Sequence, residues 1–236
     1  MFHRRQWLAG LAALPFAREL LAHADPVTRA DTKPAAPDGK RTAPSSGRRG
    51  FAARLPGREI LRRRSFPNVV LTSHQGKQVK FYDDLLKDKI VILNLMYASC
   101  DGICPTTTAN LKRVHQLLRA AVTREIFIYS LTLKPEEDTP DKLRDYAKMH
   151  GVRDPGWLFL TGKPDEVELL RHQLGFADPN PEVDRDKSKH SGMLRYGNEP
   201  MAIWGTCQGS ADPVWIAQEI QFAVPRALKR HPNVND

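Results

Sequence analysis

Two cysteines, Cys100 and Cys104, stand between a strand-like run and a helix-like run. The preceding residues Ile90-Val91-Ile92-Leu93-Asn94-Leu95-Met96-Tyr97 read as a buried strand. The following residues, Thr106 to Leu118, carry apolar positions at helical spacing, with Pro105 at the first helical position. A cysteine loop that ends one element and opens the other calls for strands and helices packed together. It also places both thiols near the positive end of a helix. That position lowers a thiol pKa and favours the thiolate, either as a nucleophile or as a ligand for a soft metal.

The rest of the chain extends the alternation. Asn68–Ser73 and Gln78–Tyr82 flank His74-Gln75-Gly76-Lys77 and read as a hairpin. Glu125–Leu133 is a second buried strand and Trp157–Thr161 a third. Pro140 opens a helix that stops at Gly151, and Pro164 opens another with Val167, Leu170 and Leu174 on one face. Short strands are expected at Met193–Tyr196 and Pro200–Trp204, and a last helix from Pro213 carries Trp215, Ile216, Ile220 and Phe222. The expected fold is α/β: a sandwich with a central mixed sheet flanked by helices, plus an N-terminal hairpin. A cysteine loop at the end of the first central strand, running into a helix, makes this sandwich thioredoxin-like.

Charge is distributed unevenly. Residues 1–64 contain 14 of the 36 Lys and Arg but 5 of the 27 Asp and Glu, so the formal +9 belongs to this segment and the remaining residues balance. A nucleic-acid-binding role needs a basic face on the folded domain, and none is visible. Within the segment, Arg4-Arg5, the apolar stretch Trp7–Ala17 and Ala22-His23-Ala24 read as a twin-arginine-like export signal over residues 1–24. The apolar stretch is shorter than the ~20 residues a bilayer-spanning helix needs. Residues 25–59 read as a flexible basic linker, and the folded domain is expected over 60–230. The run Arg58, Arg62, Arg63, Arg64 reads as solvated linker or as a membrane-surface contact. Export implies a periplasmic protein, in a compartment where thiols oxidise unless kept reduced.

The three cysteines exclude a disulfide-dense scaffold. Cys100 and Cys104 are the redox pair, and their wider spacing still permits a disulfide, which needs Cα atoms within ~7 Å. Gly102 gives the loop freedom for both sulfurs to converge on a third object. Two thiolates suit Cu(I), and an added imidazole would accommodate Cu(II). Redox chemistry and metal binding both remain open at this level.

The stretch Tyr97-Ala98-Ser99-Cys100-Asp101-Gly102-Ile103-Cys104-Pro105 resembles the signature of the Sco/SenC proteins. Leu131–Pro140 is similar to the same family's segment after the second central strand, and Lys187-Ser188-Lys189-His190-Ser191 falls where the family carries a ligand histidine. The resemblance covers roughly residues 66–225. It implies a thioredoxin-like domain holding one copper ion, Cu(I) or Cu(II), through Cys100, Cys104 and His190. It implies copper delivery to the copper A subunit of cytochrome c oxidase, or maintenance of that site's cysteines, with other copper chaperones or thiol reductants as partners. The family usually has an acidic residue directly before the histidine. Here that residue is Lys189, and Asp184 or Asp186 is expected to supply the neighbouring carboxylate.

The remaining candidates have plainer readings. Cys207 sits in a turn-like Gly-Thr-Cys-Gln-Gly context and reads as a small buried thiol. His74, His150, His172 and His231 read as solvent-facing, His115 as a surface or satisfied half-buried residue, and Met96 as core. Asp101 and Glu136–Asp138 read as solvated acidic loops. Besides a metallochaperone, the sequence allows an extracytoplasmic thiol–disulfide oxidoreductase or a redox- or copper-sensing module.

Overall fold

The computed structural model describes residues 57–229. The expected export signal at 1–24, nearly all of the linker expected at 25–59, and His231 lie outside the described residues. The central strand follows from its composition: β3, Ile90–Met96, is buried at every position, as a strand covered on both faces must be. It pairs in parallel with β4, Ile126–Thr132, which pairs in parallel with β5, Trp157–Thr161. The expected hairpin forms from β1, Val70–Ser73, and β2, Gln78–Lys80, and joins the sheet through antiparallel pairing of β1 with β5. On the other side β6, Met193–Asn198, runs antiparallel to β3 and is followed by β7, Ile203–Gln208. The sheet thus has seven strands in the order β2-β1-β5-β4-β3-β6-β7.

Helices cover both faces. On one side lie α2, Ile103–Ala121, α3, Pro140–Met149, and α6, Pro213–Phe222. Thr108 of α2 meets the hydroxyl of Tyr146 of α3 at 3.0 Å, and Asn198 Nδ2 donates to the Ala223 carbonyl just past α6. The opposite face of β6 carries Arg195, which donates to Leu174 O at the end of α4, Pro164–Gln173. Arg195 also lies over Phe66, next to α1, Gly57–Ser65.

Several boundaries differ from the sequence reading. The second hairpin strand stops at Lys80, and Phe81–Leu86 turns as a π-helix that buries Phe81, Tyr82, Leu85 and Leu86. A strand could have buried only alternate residues there. Helix α2 begins at Ile103 rather than at Pro105, because a proline is tolerated throughout a first turn whose N–H groups have no intrahelical acceptor. Glu199–Met201 forms a 3-10 turn, closed by Ala202 at φ +54°. The strand expected at 200–204 is therefore displaced to 203–208, and Cys207 lies buried within it, not in a turn. The arginine run is not a solvated linker at its start. Arg58 donates from Nε to Glu199 Oε1 at 2.6 Å, while the buried Glu199 also accepts from the Tyr82 hydroxyl and the Asp88 N–H. Arg62 pairs with Glu59 and lies over the Tyr82 ring.

Candidate metal centre

Antiparallel pairing explains how a distant histidine reaches the cysteines. Strand β3 runs up into the cysteine loop, while β6 starts beside that end and runs down, with Asn94 opposite Leu194. Residues just before β6 must arrive where β3 finishes. His190 is three residues ahead of Met193, and it lands on Cys104.

The loop between β3 and α2 is fixed from below. Asp138 accepts from the Ala98 N–H at 3.0 Å and from the Thr132 hydroxyl at 2.5 Å. Thr132 in turn accepts from the Lys134 N–H. Asp138 is 1% exposed, which corrects its reading as a solvated loop residue. Its carboxylate satisfies donors that the cysteine loop would otherwise bury unpaired. The Cys100 N–H donates to Tyr97 O, and Gly102 caps α2, so Cys104 occupies the first helical turn. Both thiols are buried, Cys104 at 2% exposure. All three cysteines are unpaired thiols.

The Cys100 and Cys104 sulfurs and a His190 ring nitrogen lie within 4.8 Å of one another. His190 Nε2 is 3.4 Å from Cys104 Sγ, and Nδ1 is 3.0 Å from the Lys187 carbonyl. A carbonyl only accepts, so Nδ1 carries a proton and donates. Burial lowers the His190 pKa against the pull of that carbonyl, which keeps the ring neutral near pH 7. The Nε2 lone pair is thereby aimed at the thiols. Neither candidate carboxylate touches the ring. Asp184 pairs with Arg171 and Asp186 bonds Ser188, so the Lys187 backbone takes the role expected of an acidic side chain. Lys189 points away, 62% exposed in its side chain and 3.5 Å from Asp186.

The two thiols divide their chemistry. Burial opposes ionisation of Cys100, but hydrogen bonds from the Cys104 thiol, the Cys104 and Gly102 N–H groups and Tyr97 outweigh it and lower its pKa. Burial and the neighbouring Cys100 sulfur push Cys104 well up. The Tyr97 hydroxyl is pushed up to about 12 by burial and by Cys100. Its ring packs edge-on to His190 at 5.8 Å, and the Lys134 ammonium lies over the ring, 4.6 Å from its centroid. The resting pair is thus one thiolate-prone sulfur and one proton-holding sulfur, beside a neutral imidazole.

Gly192 locks the histidine loop to the cysteine loop. It has φ +63°, and a Cβ there would lie 2.4 Å from Ile103 Cδ1. Behind it, Gly209 N–H donates to Gly192 O, and Gln208 Nε2 donates to Ser191 O at 2.5 Å. Asn110 of α2 holds the carbonyls of Gly209 and Ala211. Sequence reasoning missed Asp138, Tyr97 and Gly192 as site residues. The available signals were Tyr97 opening the signature stretch, Asp138 inside the similar segment 131–140, and Gly192 as a glycine two residues past the histidine.

The other candidates fall elsewhere. His74 is not simply solvent-facing, because its Nδ1 accepts from the Phe159 N–H; His150 packs on Tyr146 at 4.2 Å. His115 is buried 3.7 Å from Asp154, and Met96 is core.

A thioredoxin-like sandwich with two cysteines at a helix start and a histidine brought to them by an antiparallel strand defines a class of thiol-and-imidazole metal or redox domains. The chain belongs to the SCO1/SenC family, whose model matches residues 64–224. A Stutzerimonas stutzeri protein named for an inferred copper-binding role is 30% identical over 135 residues, covering 56% of this chain and 64% of its own length. The SCO1 protein homolog of Bacillus subtilis is 29% identical over 97 residues, covering 41% of this chain and 49% of its own length. The matched region therefore spans less than two thirds of either relative. Yeast Sco1 crystallised with copper bound superposes with a TM-score of 0.54 at 20% identity, covering 71% of this chain and 94% of that one. At that identity the likeness shows the fold.

Proposed function

We propose that this protein takes up one copper ion through Cys100 Sγ, Cys104 Sγ and His190 Nε2, and serves the assembly of the copper A site of cytochrome c oxidase. It does so by delivering the ion or by keeping that site's cysteines reduced. The observation that carries the reading is the convergence of three ligand atoms within 4.8 Å, with the imidazole lone pair already turned inward. The donor set fits the ion: two thiolates satisfy soft Cu(I), and the neutral imidazole adds the nitrogen that Cu(II) favours. Copper is cargo here. The chain's own task is to hold Cys104 and His190 in register and to release both thiol protons as the ion enters.

Family membership and the names of copper-bound relatives support the same reading. A related family member described as a lipoprotein supports placement outside the cytoplasm. No helix among the described residues is long and apolar enough to cross a membrane.

Metal analysis and absorption spectroscopy of the reduced protein test the proposal. One copper per chain with sulfur-to-Cu(II) charge-transfer bands is expected. His190→Ala should weaken Cu(II) binding while sparing Cu(I). Unchanged Cu(II) affinity in that variant would remove His190 from the site.

The lowered pKa of Cys100 favours a second reading, thiol–disulfide exchange. The Cys100 thiolate attacks a substrate disulfide and expels one substrate thiolate. Cys104, deprotonated, then attacks the Cys100 sulfur, releasing the second substrate thiolate and leaving this pair oxidised. Turnover that needs both cysteines and survives loss of His190 is its signature.

A further inference from the structure

The segment carrying His190 has almost no apolar hold on the domain. The short helix α5, Pro181–Arg185, and the 3-10 turn Lys187–Lys189 bury no residue. Behind them lies a cavity of about 210 Å³, lined by Arg171, Asp184, Lys187, His190 and Met193 among others. Ahead of His190, packing therefore does little to decide where this segment sits; charge does.

Arg171 of α4 is 3% exposed and reaches both sides of the gap. Its Nε and a terminal nitrogen donate to the two Glu168 oxygens at 2.9 and 2.5 Å. The same terminal nitrogen donates to Asp184 Oδ2 at 2.5 Å, and the other terminal nitrogen bonds Asp184 Oδ1. Lys187 Nζ returns to Glu168 at 3.2 Å, while the Lys187 carbonyl holds His190 Nδ1. Oxygens of Glu168 and Asp184 and a nitrogen of His172 also lie within 4.8 Å of one another, a spacing a cation could occupy. The Arg171 guanidinium already bonds all three residues, so this cluster reads as a clasp around an arginine rather than a second metal site.

We propose that Arg171 is the positioning residue that holds His190 against Cys104, through Asp184 and Lys187, and so sets the Cu(II) affinity of the site independently of its Cu(I) affinity. The inference rests on the copper reading above. Without the guanidinium, Glu168 and Asp184 face each other with only Lys187, on Glu168, left to offset them, and α5 loses its tether to α4. The Lys187 carbonyl then drifts, the Nδ1–H bond is lost, and Nε2 no longer meets Cys104. Cu(I), served by two sulfurs on a separate loop, is unaffected.

The test uses full-length protein with Arg171→Met, and with Asp184→Asn as the milder change that leaves the Arg171–Glu168 pair intact. Cu(II) affinity should fall by ~10–100-fold in Arg171→Met, as for residues that orient metal ligands, and by less in Asp184→Asn. Cu(I) affinity should stay within a few-fold. In a His190→Ala background Arg171→Met should add no further loss of Cu(II) affinity, since the arginine acts only through the ring. In metal-free protein, ring nitrogen NMR shifts should report a fixed Nδ1–H tautomer in wild type and an averaged one in the variants. Unchanged Cu(II) affinity together with a wild-type ring signature in both variants would overturn the proposal. So would a further loss in the His190→Ala background. If Arg171→Met fails to fold, Asp184→Asn decides. Wild type that takes up no copper would sink the copper reading, while the metal-free ring comparison would still decide the role of Arg171.

Discussion

Replacing Gly192 with alanine should destabilise the protein and loosen the candidate metal centre together. The residue has φ +63°, and holding alanine in the left-handed region costs ~1–2 kcal/mol. Its new Cβ would stand 2.4 Å from Ile103 Cδ1 and 3.0 Å from Cγ1, inside contact distance. Overpacking of that kind costs ~1–3 kcal/mol. The clashing atoms are the far end of a side chain that can yield, so the lower part of the combined range applies, about 2–3 kcal/mol. That is a large share of the ~5–15 kcal/mol that holds a domain together. The contribution divides cleanly. Ile103→Ala removes the overlap but leaves the backbone term, so Gly192→Ala should cost only ~1–2 kcal/mol in that background. Urea denaturation of the four reduced proteins measures both quantities. The Cu(II) charge-transfer intensity should fall in Gly192→Ala and recover partly in the double variant, as the histidine loop settles back. Equal costs of Gly192→Ala in the two backgrounds would refute the claim that this glycine exists to admit Ile103.

Other expectations follow from the same geometry. Asp138→Ala leaves the Ala98 N–H and Thr132 hydroxyl without their acceptor, at ~1–3 kcal/mol for each buried group, read by denaturation. Arg58→Met strands the Glu199 carboxylate, 3% exposed, and should cost about 3 kcal/mol by the same assay; a change under half of that would place the weight on Tyr82 and Asp88 instead. In a Cys207→Ser background, iodoacetamide should modify Cys100 with a titration below the ordinary thiol value, while Cys104 stays protected to higher pH; coincident profiles would contradict the division of labour. Arg171 holds the Glu168 pKa down to about 2, so the stability it gives is complete above the unfolded value of about 4.3 and is lost as pH falls from there through 2. Glu168→Gln should flatten the acid limb in that window, and an unchanged limb would exclude the pair from acid stability.

The sequence alone carried the chain's architecture and two of the three residues of its candidate metal centre. Runs such as Ile90–Met96, apolar at nearly every position, have one stable use, a strand covered on both faces, so the sheet and its alternation with helices were legible locally. Cys100 and Cys104 were legible for the same reason, since adjacency along the chain puts them in one loop. Resemblance supplied His190, because no local pattern ties a residue to a loop 86 positions away. Only the tertiary structure could show why it arrives there: β6 lies antiparallel beside β3, and that pairing carries its leading residues to the cysteine end. The same holds for Asp138, read locally as surface and found beneath the cysteine loop, and for Arg58, read as linker and found bonded to Glu199. A polar side chain looks alike in sequence whether water or a buried partner satisfies it. The distinction is made by which backbone and side-chain groups the fold brings within hydrogen-bonding reach.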